Sequence, residues 1–265
     1  MWRVLRSRLR QGHRTIAFPV EEPLLPAGFR GRPALDDSAC ADGCRECIEQ
    51  CPTGALELHD GRLRLDLGRC LFCGECETHC PQGAIRFTRD HRLATRRRED
   101  LLVQGDELCL ADALEASTRK LFGRSLRLRQ VSAGGSGAEE ADTNVLGTVV
   151  YDLTRFGVEF VASPRHADGL LVTGPVSRQM RGPLFRTYEA VPDPRVVIAV
   201  GASAISGGPW RGLPEVMDGV DAVVPVDLYI PGFPPHPLTI LDGLLRLLGR
   251  LADGATDGAP ESGRA

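Results

Sequence analysis

The spacing of hydrophobic residues predicts a β-hairpin in the first half of the chain. Between residues 56 and 67, leucines alternate with polar residues, and the alternation is interrupted once, by Asp60-Gly61. A period of two is typical of a strand with one buried face, and Asp-Gly is a preferred two-residue hairpin turn. We therefore expect two antiparallel strands joined at Asp60-Gly61.

From about residue 126 the pattern changes to short apolar runs separated by amphipathic stretches. Strands alternating with helices form a mostly parallel, layered sheet, so this half is predicted to be an α/β domain. The predicted strands are Leu126–Val131, Gly169–Thr173, Arg195–Val200 and Asp221–Val226, and the predicted helices lie near 176–190 and 237–251. An amphipathic run from Leu108 to Phe122 predicts a helix in the segment between the two halves.

Residues 40–90 contain an internal repeat. Cys44, Cys47, Cys51-Pro52 and Gly54-Ala55-Leu56 recur 29 residues later as Cys73, Cys76, Cys80-Pro81 and Gly83-Ala84-Ile85. Self-similarity of this kind indicates a duplicated supersecondary unit.

The second set of cysteines has the spacing of bacterial ferredoxins, Cys70-x2-Cys73-x2-Cys76-x3-Cys80-Pro81. In that arrangement three close thiolates hold one iron–sulfur cluster and the fourth cysteine reaches the other cluster. Applied to both sets, this crossing-over predicts two [4Fe-4S] clusters. Cluster 1 is assigned to Cys40, Cys44, Cys47 and Cys80, and cluster 2 to Cys70, Cys73, Cys76 and Cys51.

The first set departs from the regular spacing. The repeat assigns its first cysteine to position 41, which is Ala41, and Cys40 lies one residue earlier. We expect the loop to absorb the extra residue; the alternative is a labile or three-iron cluster 1. Pairs of CxxC also suit zinc, but eight cysteines with a proline after each fourth one favour iron–sulfur clusters. Cys109 belongs to neither set and is expected to be a small buried hydrophobic residue.

Length, composition and charge limit the class of protein. The 265 residues suggest two domains, and a hydrophobic content of 42% is ordinary for a globular protein. A net charge of −3 argues against a general nucleic-acid-binding protein. No apolar run approaches the ~20 residues that span a bilayer, and the first residues lack the apolar core of a signal peptide. These features predict a cytoplasmic protein.

The first residues of the chain are basic. Residues 1–14 contain five arginines and no acidic residue, and Trp2, Leu5 and Leu9 recur at helical spacing. This pattern predicts a short amphipathic helix that helps to hold a complex at a membrane surface, and the alternative is a frayed terminus.

Residues 15–103 resemble the two-cluster ferredoxin subunits of formate hydrogenlyase and, more distantly, the matching subunit of respiratory complex I. The shared features are Phe29-Arg30-Gly31, both cysteine sets with their Gly-Ala-Leu/Ile tails, and Arg97-Arg98-Glu99-Asp100.

Residues 126–250 resemble the small subunit of membrane-bound [NiFe] hydrogenases and the complex I subunit that holds the terminal cluster. The shared segments are 151–157, 163–168, 172–175, 192–195, 206–208 and 224–232. The chain therefore resembles a fusion of two normally separate subunits. The resemblance implies a bacterial-type 2[4Fe-4S] ferredoxin domain followed by a flavodoxin-like α/β domain with a parallel sheet.

The second module of this family holds a further [4Fe-4S] cluster through four cysteines, and the resemblance implies that all four are missing here. The corresponding positions are Ser136 and Glu139 in the glycine-rich turn, Ser203 after the 196–200 run, and Phe233 within Pro231-Gly232-Phe233-Pro234-Pro235. A serine hydroxyl is a poor iron ligand, a lone carboxylate is a hard one, and phenylalanine has no lone pair. We therefore expect a degenerate site without a cluster.

Together these features predict five regions. They are a basic N-terminal segment with a proline-rich linker (1–30), a ferredoxin-like domain (31–100), a helical linker (101–125), the α/β domain (126–251) and a disordered tail (252–265).

The resemblance implies an iron–sulfur electron-transfer subunit of a membrane-associated, hydrogenase-like or complex I-related oxidoreductase complex. Such a chain has no active site of its own and lies at the cytoplasmic face of the membrane. Its implied partners are a hydrogenase-like large subunit, membrane-arm subunits, and an electron-donor protein or ferredoxin, with no nucleic acid. The alternative is a docking scaffold whose clusters only stabilise the fold. A third option, a flavoprotein, would carry bound flavin.

Overall fold

A computed structural model describes residues 1–40, 43–105, 108–122 and 125–251 of the chain. The predicted tail at 252–265 lies outside the described residues, as does Ala41 in the first cysteine loop.

The front domain consists of short strands and two one-turn helices that follow the repeat. An exposed helix, α1 (Trp2–Gln11), precedes it. The strands of the front domain are β1 (Pro33–Leu35), β2 (Leu56–His59), β3 (Arg62–Asp66), β4 (Ile85–Phe87) and β5 (Leu102–Gln104). The helices of the front domain are α2 (Glu46–Glu49) and α3 (Glu75–Thr78). Strand β1 pairs antiparallel with β4, and β2, β3 and β5 form an antiparallel sheet in that order.

The hairpin predicted from the leucine pattern is β2–β3. Leu56 pairs with Leu65 and Leu58 with Leu63. Asp60 and Gly61 have φ angles of 52° and 75°. Two consecutive left-handed residues are what the tight hairpin turn requires, because its twist matches that of the strands.

The segment between the two domains differs from the prediction in two ways. Strand β5 lies beyond residue 100 but pairs with β3, so the front sheet continues into the predicted linker. The helix predicted over 108–122 exists only as α4 (Ala116–Phe122). The reason is tertiary: the backbone N–H of Ala111 donates to Ala94 O at 2.7 Å, and that of Leu114 donates to Leu247 O at 3.0 Å. These bonds hold the chain extended where a helix would need the same donors.

The rear domain is a five-stranded parallel sheet. Its strands are β6 (Leu126–Ser132), β7 (Val158–Phe160), β8 (Gly169–Thr173), β9 (Val196–Val200) and β10 (Leu228–Ile230). Their order across the sheet is β7-β6-β8-β9-β10, which is the flavodoxin-like order. The fold class predicted for this half is therefore confirmed. Helices α5 (Ala138–Val145), α6 (Arg178–Ala190), α7 (Gly201–Ser206) and α8 (Pro237–Leu247) connect and cover the strands.

One predicted strand is wrong and one strand was missed. Asp221–Val226 is not a strand, because the N–H groups of Val223 and Val224 both donate to Val220 O in a turn, and Pro225 has no N–H to offer to a ladder. The edge strand is β10, a few residues later, which pairs with β9. Strand β7 was missed because it has only three residues and therefore shows little alternation.

The front domain packs against the rear sheet through its edge. Thr95 and Tyr229 exchange two backbone hydrogen bonds, 3.0 and 2.9 Å long, so a front-domain residue covers β10. The Arg96 guanidinium donates to Asp227 O at 2.7 Å. Pairing the edge strand in this way satisfies groups that would otherwise be open to another chain.

Within the parts of the chain that the structure describes, no helix is long and apolar enough to cross a membrane.

Candidate functional site

Four of the predicted ligand cysteines surround one small cavity in the front domain. Cys70 and Cys73 lie on the loop after β3, Cys76 lies in α3, and Cys51 follows α2 in the other half of the repeat. All four line the same cavity, together with Leu65 and Phe87 among others. The structure thus brings together the four cysteines predicted for cluster 2.

Backbone N–H groups point at several of the sulfur atoms. The N–H of Ala55 donates to Cys51 Sγ at 3.2 Å, and at the equivalent position of the repeat the N–H of Ala84 donates to Cys80 Sγ at 3.2 Å. The N–H of Phe72 donates to Cys70 Sγ at 3.3 Å. Hydrogen bonds to cluster sulfurs are one of the means by which a protein sets a cluster's reduction potential.

The electrostatics of the buried thiols show which cysteines lie near one another. Burial raises the pKa of Cys47 to about 11, and the nearby Cys80, Cys40 and Cys44 add to that effect. Burial also raises the pKa of Cys70, an N–H donated by Phe72 opposes it, and Cys76, Cys51 and Cys73 raise it further. The neighbours of Cys47 are the residues predicted for cluster 1, and those of Cys70 are the residues predicted for cluster 2.

This donor set fits two iron–sulfur clusters. Like charges on neighbouring thiolates repel in a buried site, so a bound cationic iron centre is what makes several thiolates compatible there. Cys73 is exposed, whereas Cys70 and Cys76 are buried, so one edge of the cluster 2 site lies at the surface.

The four positions predicted to form a degenerate rear site are not equivalent in the structure. Glu139 is 1% exposed and Ser203 is 0% exposed, and Ser203 Oγ donates to Glu139 Oε1 at 2.6 Å. Ser136 is exposed, and its hydroxyl accepts only a long contact, 3.4 Å, from the N–H of Ala138. Phe233 is half-buried, with its ring centroid 6.3 Å from that of Trp210.

The side chain of Glu139 fills the space between α5 and α7. A Cβ atom on Gly201, the first residue of α7, would lie 2.7 Å from Cγ of Glu139. Gly201 also has a φ of 91°, so glycine is required there on two grounds. Because none of the four positions offers a thiolate and a carboxylate side chain occupies the interior, these residues do not fit a [4Fe-4S] cluster.

A second carboxylate, adjacent to Glu139 in the sequence, joins two strand ends. Glu140 Oε1 accepts from Ser132 Oγ at 2.5 Å and from Thr173 Oγ1 at 2.7 Å. Burial acts to raise the pKa of Glu140, but the two hydroxyl donors outweigh it, and the net pKa is below the ordinary value. Ser132 and Thr173 end β6 and β8, between which the strand order reverses, so Glu140 ties the sheet together at its switch point.

A cleft of about 250 Å³ separates the cluster 2 loop from the degenerate site. Phe72 lines it on the front-domain side, and Phe233, Asp142 and His236 line it on the rear-domain side. Burial, with a smaller contribution from Glu139, raises the pKa of Asp142, and burial lowers that of His236. This cleft lies between the loop that carries Phe72 and one position of the predicted degenerate site, Phe233.

Sequence reasoning did not predict the polar residues of this cleft. Asp142 lies three positions after Glu139, and His236 lies three after Phe233, so each is close in the chain to a position of the degenerate site. That proximity is the signal that could have located them. Neither residue has the spacing of a ligand motif, and the cleft itself forms only when the two domains pack.

Cys109 is exposed, so the expectation that it is a buried hydrophobic residue is wrong. It lies on the extended segment ahead of α4, where backbone bonds from Ala111 and Leu114 to Ala94 and Leu247 fix the chain.

Comparison with known proteins identifies both halves. The family model of the NADH ubiquinone oxidoreductase 20 kDa subunit matches residues 137–247, and that of the 4Fe-4S dicluster domain matches residues 39–84. The dicluster match implies two 4Fe-4S clusters in the front domain.

Three curated relatives illustrate the similarity. Formate hydrogenlyase subunit 7 of Escherichia coli is 42% identical over 139 residues, which are 52% of this chain and 54% of that protein. The probable membrane-bound hydrogenase subunit mbhJ of Pyrococcus furiosus is 41% identical over 133 residues, 50% of this chain and 80% of that protein. An NADH-quinone oxidoreductase subunit of Bacteroides thetaiotaomicron is 47% identical over 103 residues, 38% of this chain and 52% of that protein. The chain thus spans about half the length of the first and third relatives.

Proposed function

This chain belongs to the family of the NADH ubiquinone oxidoreductase 20 kDa subunit, and it carries a 4Fe-4S dicluster domain ahead of that part. We therefore propose that it is an iron–sulfur electron-transfer subunit of a membrane-associated complex related to hydrogenases and complex I. The observation that carries the proposal is the cavity lined by Cys51, Cys70, Cys73 and Cys76, which come from both halves of the repeat. When bound, the two [4Fe-4S] clusters supply one-electron carriers.

The cysteines have specific roles in this proposal. Cys40, Cys44, Cys47 and Cys80 hold cluster 1, and Cys51, Cys70, Cys73 and Cys76 hold cluster 2. The N–H groups of Ala55, Phe72 and Ala84 stabilise the ligand sulfurs, and the 3.2–3.3 Å contacts that they make support this role. The exposed Cys73 marks the edge of the domain through which electrons enter or leave.

The rear domain has a docking role in this proposal. It binds a hydrogenase-like large subunit and subunits of the membrane arm, and it holds the chain at the cytoplasmic face of the membrane. The relatives named above include a hydrogenase subunit and a formate hydrogenlyase subunit, which supports partners of this kind. Since Glu139 fills the degenerate site, electrons exchange with the donor protein and the acceptor through the front domain alone.

The proposal is tested by purifying the full chain anaerobically and measuring iron, acid-labile sulfide and the EPR spectrum after reduction. We expect the iron of two four-iron clusters, reduced within the range of physiological carriers and reoxidised rapidly by the partner complex. Cys76→Ser should abolish the cluster 2 signal, and the control Cys109→Ser, at an exposed cysteine outside both groups, should leave the spectrum unchanged. Clusters that are present but not reducible in that range would instead make the front domain a scaffold.

A further inference from the structure

Helix α1 exposes an apolar face that nothing in the described chain covers. None of its ten residues is buried, and the side chains of Trp2, Leu5 and Leu9 are 85%, 52% and 83% exposed. Residues three and four positions apart lie on the same side of a helix, so these three side chains form one face. An isolated helix shorter than ~12–15 residues is marginal in water, so α1 needs a surface to stabilise it.

The rest of α1 is strongly basic. Arg3, Arg6 and Arg10 lie beside the apolar face, Arg8 lies on its other flank, and Arg14 follows the helix. The chain has no acidic residue before Glu21, so these charges are not neutralised locally. A helix with arginine on its polar side and Trp and Leu on the other is typical of helices that lie in the headgroup region of a bilayer.

The segment after α1 anchors it beside a second exposed apolar site. Thr15 Oγ1 donates to Val149 O at 3.0 Å, and the N–H of Ile16 donates to Val150 O at 2.9 Å. The side chains of Val149 and Val150 are 66% and 40% exposed. Phe18 is buried in the rear domain, and its carbonyl accepts from the Arg155 guanidinium at 2.9 Å. Gln11, the last residue of α1, is therefore within about 14 Å of this loop along the chain.

We infer that α1, together with Val149 and Val150, is a membrane-contact surface that binds the headgroup region of an anionic bilayer. This inference rests on the membrane association in the proposed function and identifies the surface that makes the contact. It does not depend on electron transfer. Charge complementarity favours a lipid surface as the occupant, because five arginines without acidic neighbours match anionic phosphate headgroups. Trp2 at the start of the helix is a residue that prefers the membrane–water interface.

The inference is tested by sedimenting the full cluster-containing chain with vesicles of phosphatidylcholine, with and without phosphatidylglycerol. We expect binding to the anionic vesicles and little to the neutral ones. The triple variant Arg3→Gln/Arg6→Gln/Arg10→Gln should bind roughly a hundred-fold more weakly, since each arginine near an anionic surface contributes about a factor of five. Trp2→Ser/Leu5→Ser/Leu9→Ser should also lose binding, whereas Leu213→Ser, a control at a 51% exposed leucine elsewhere, should bind like the native chain.

Several outcomes would overturn the inference. The first is equal binding to both kinds of vesicle, and the second is unchanged binding by the arginine variant. The third is that the chain does not bind vesicles at all and that α1 becomes protected from proteolysis only when other subunits are added. The last result would mean that α1 docks on a protein. All variants should keep the native iron content and EPR spectrum, so failure of lipid binding is separate from failure of the electron-transfer proposal.

Discussion

At the scale of single residues, the pair formed by Glu139 and Ser203 is the main buried polar contact among the positions predicted to form the degenerate rear site. The carboxylate is buried, Ser203 donates to one of its oxygens at 2.6 Å, and its Oε2 has no hydrogen-bond partner among the described residues. A buried polar atom without a partner costs stability, so the single donor matters. The pair links the first turn of α5 to α7 across the edge of the sheet.

We predict that Ser203→Ala destabilises the protein by about 1–3 kcal/mol, because both oxygens of the Glu139 carboxylate are then buried without a donor. The measurement is anaerobic urea unfolding followed by far-UV circular dichroism. Ser136→Ala is the matched control, since Ser136 is exposed and its substitution should cause no resolvable change. Equal effects of the two substitutions would show that the buried hydrogen bond has no special weight.

The burial of His91 should make the stability of the protein depend on pH. Burial is the main cause that lowers its pKa from 6.5 to about 4, and its Nε2 atom is buried without a hydrogen-bond partner. The unfolded chain therefore binds the extra proton at a higher pH than the folded chain does. The contribution of neutral His91 to the free energy of unfolding is fully present above pH ~6.5. It is lost as the pH falls toward ~4, by up to about 3 kcal/mol.

The matched substitution is His91→Phe, which keeps an aromatic ring against Phe18, whose centroid is 5.7 Å from that of His91. Urea unfolding of both proteins between pH 7 and pH 5 should show a smaller loss of stability in the variant on acidification. Parallel pH profiles would mean that the loss has another origin, for example His236, whose pKa burial also lowers.

Spacing along the chain predicted the cysteine groups, and the family resemblance assigned Glu139 and Ser203 to one site, but neither predicted the hydrogen bond between them. Each ligand loop is local, so Cys70, Cys73 and Cys76 are close in space because they are close in sequence. Glu139 and Ser203 are 64 positions apart, and nothing near either residue specifies a hydrogen bond between them. The contact follows from the strand order, which places the ends of β6 and β9 on the same edge of the sheet.

At the scale of elements, the strands with the strongest local pattern were predicted best. Strand β8 was predicted over the observed residues, because it lies at the centre of a parallel sheet and is apolar at nearly every position. The helix expected over 108–122 failed because hydrogen bonds to distant residues hold Ala111 and Leu114 extended. Local helix propensity does not account for competing hydrogen bonds to residues elsewhere in the chain.

Helix α8 provides a prediction at this scale, because it contributes, together with β10, to the contact between the two domains. A Cβ atom on Gly243 would lie 2.8 Å from Ala94 Cβ and 3.1 Å from the Ile230 side chain. We predict that Gly243→Val separates these surfaces and destabilises the protein by about 1–3 kcal/mol. Limited proteolysis should then cut faster between residues 108 and 122. Gly28→Ala, where an added Cβ meets nothing within 4 Å, is the control and should be cut like the native chain.

At the scale of the whole molecule, the two domains obtain their stability from different sources. The front domain has short strands and one-turn helices, and the ligand cysteines Cys47, Cys70 and Cys76 are part of its apolar core. The rear domain has a parallel sheet whose strands β8 and β9 are buried at every position, and α8 is buried along its length. A domain with its own apolar core does not need a metal to fold, whereas a small metal-bound domain commonly does.

Removal of iron from the full chain should therefore affect the two domains differently. We predict that amides of α2, α3 and β2 lose their protection from hydrogen exchange after treatment with an iron chelator, while those of β8 and β9 remain protected, because the proposed clusters are held by the front domain. Anaerobic hydrogen exchange measured by mass spectrometry on the treated and untreated chain separates the two responses. Loss of protection in β8 and β9 to the same extent would show that the rear sheet depends on bound iron, contrary to a site filled by Glu139. Retained protection of α2 and α3 would show that the cysteine loops fold without their clusters.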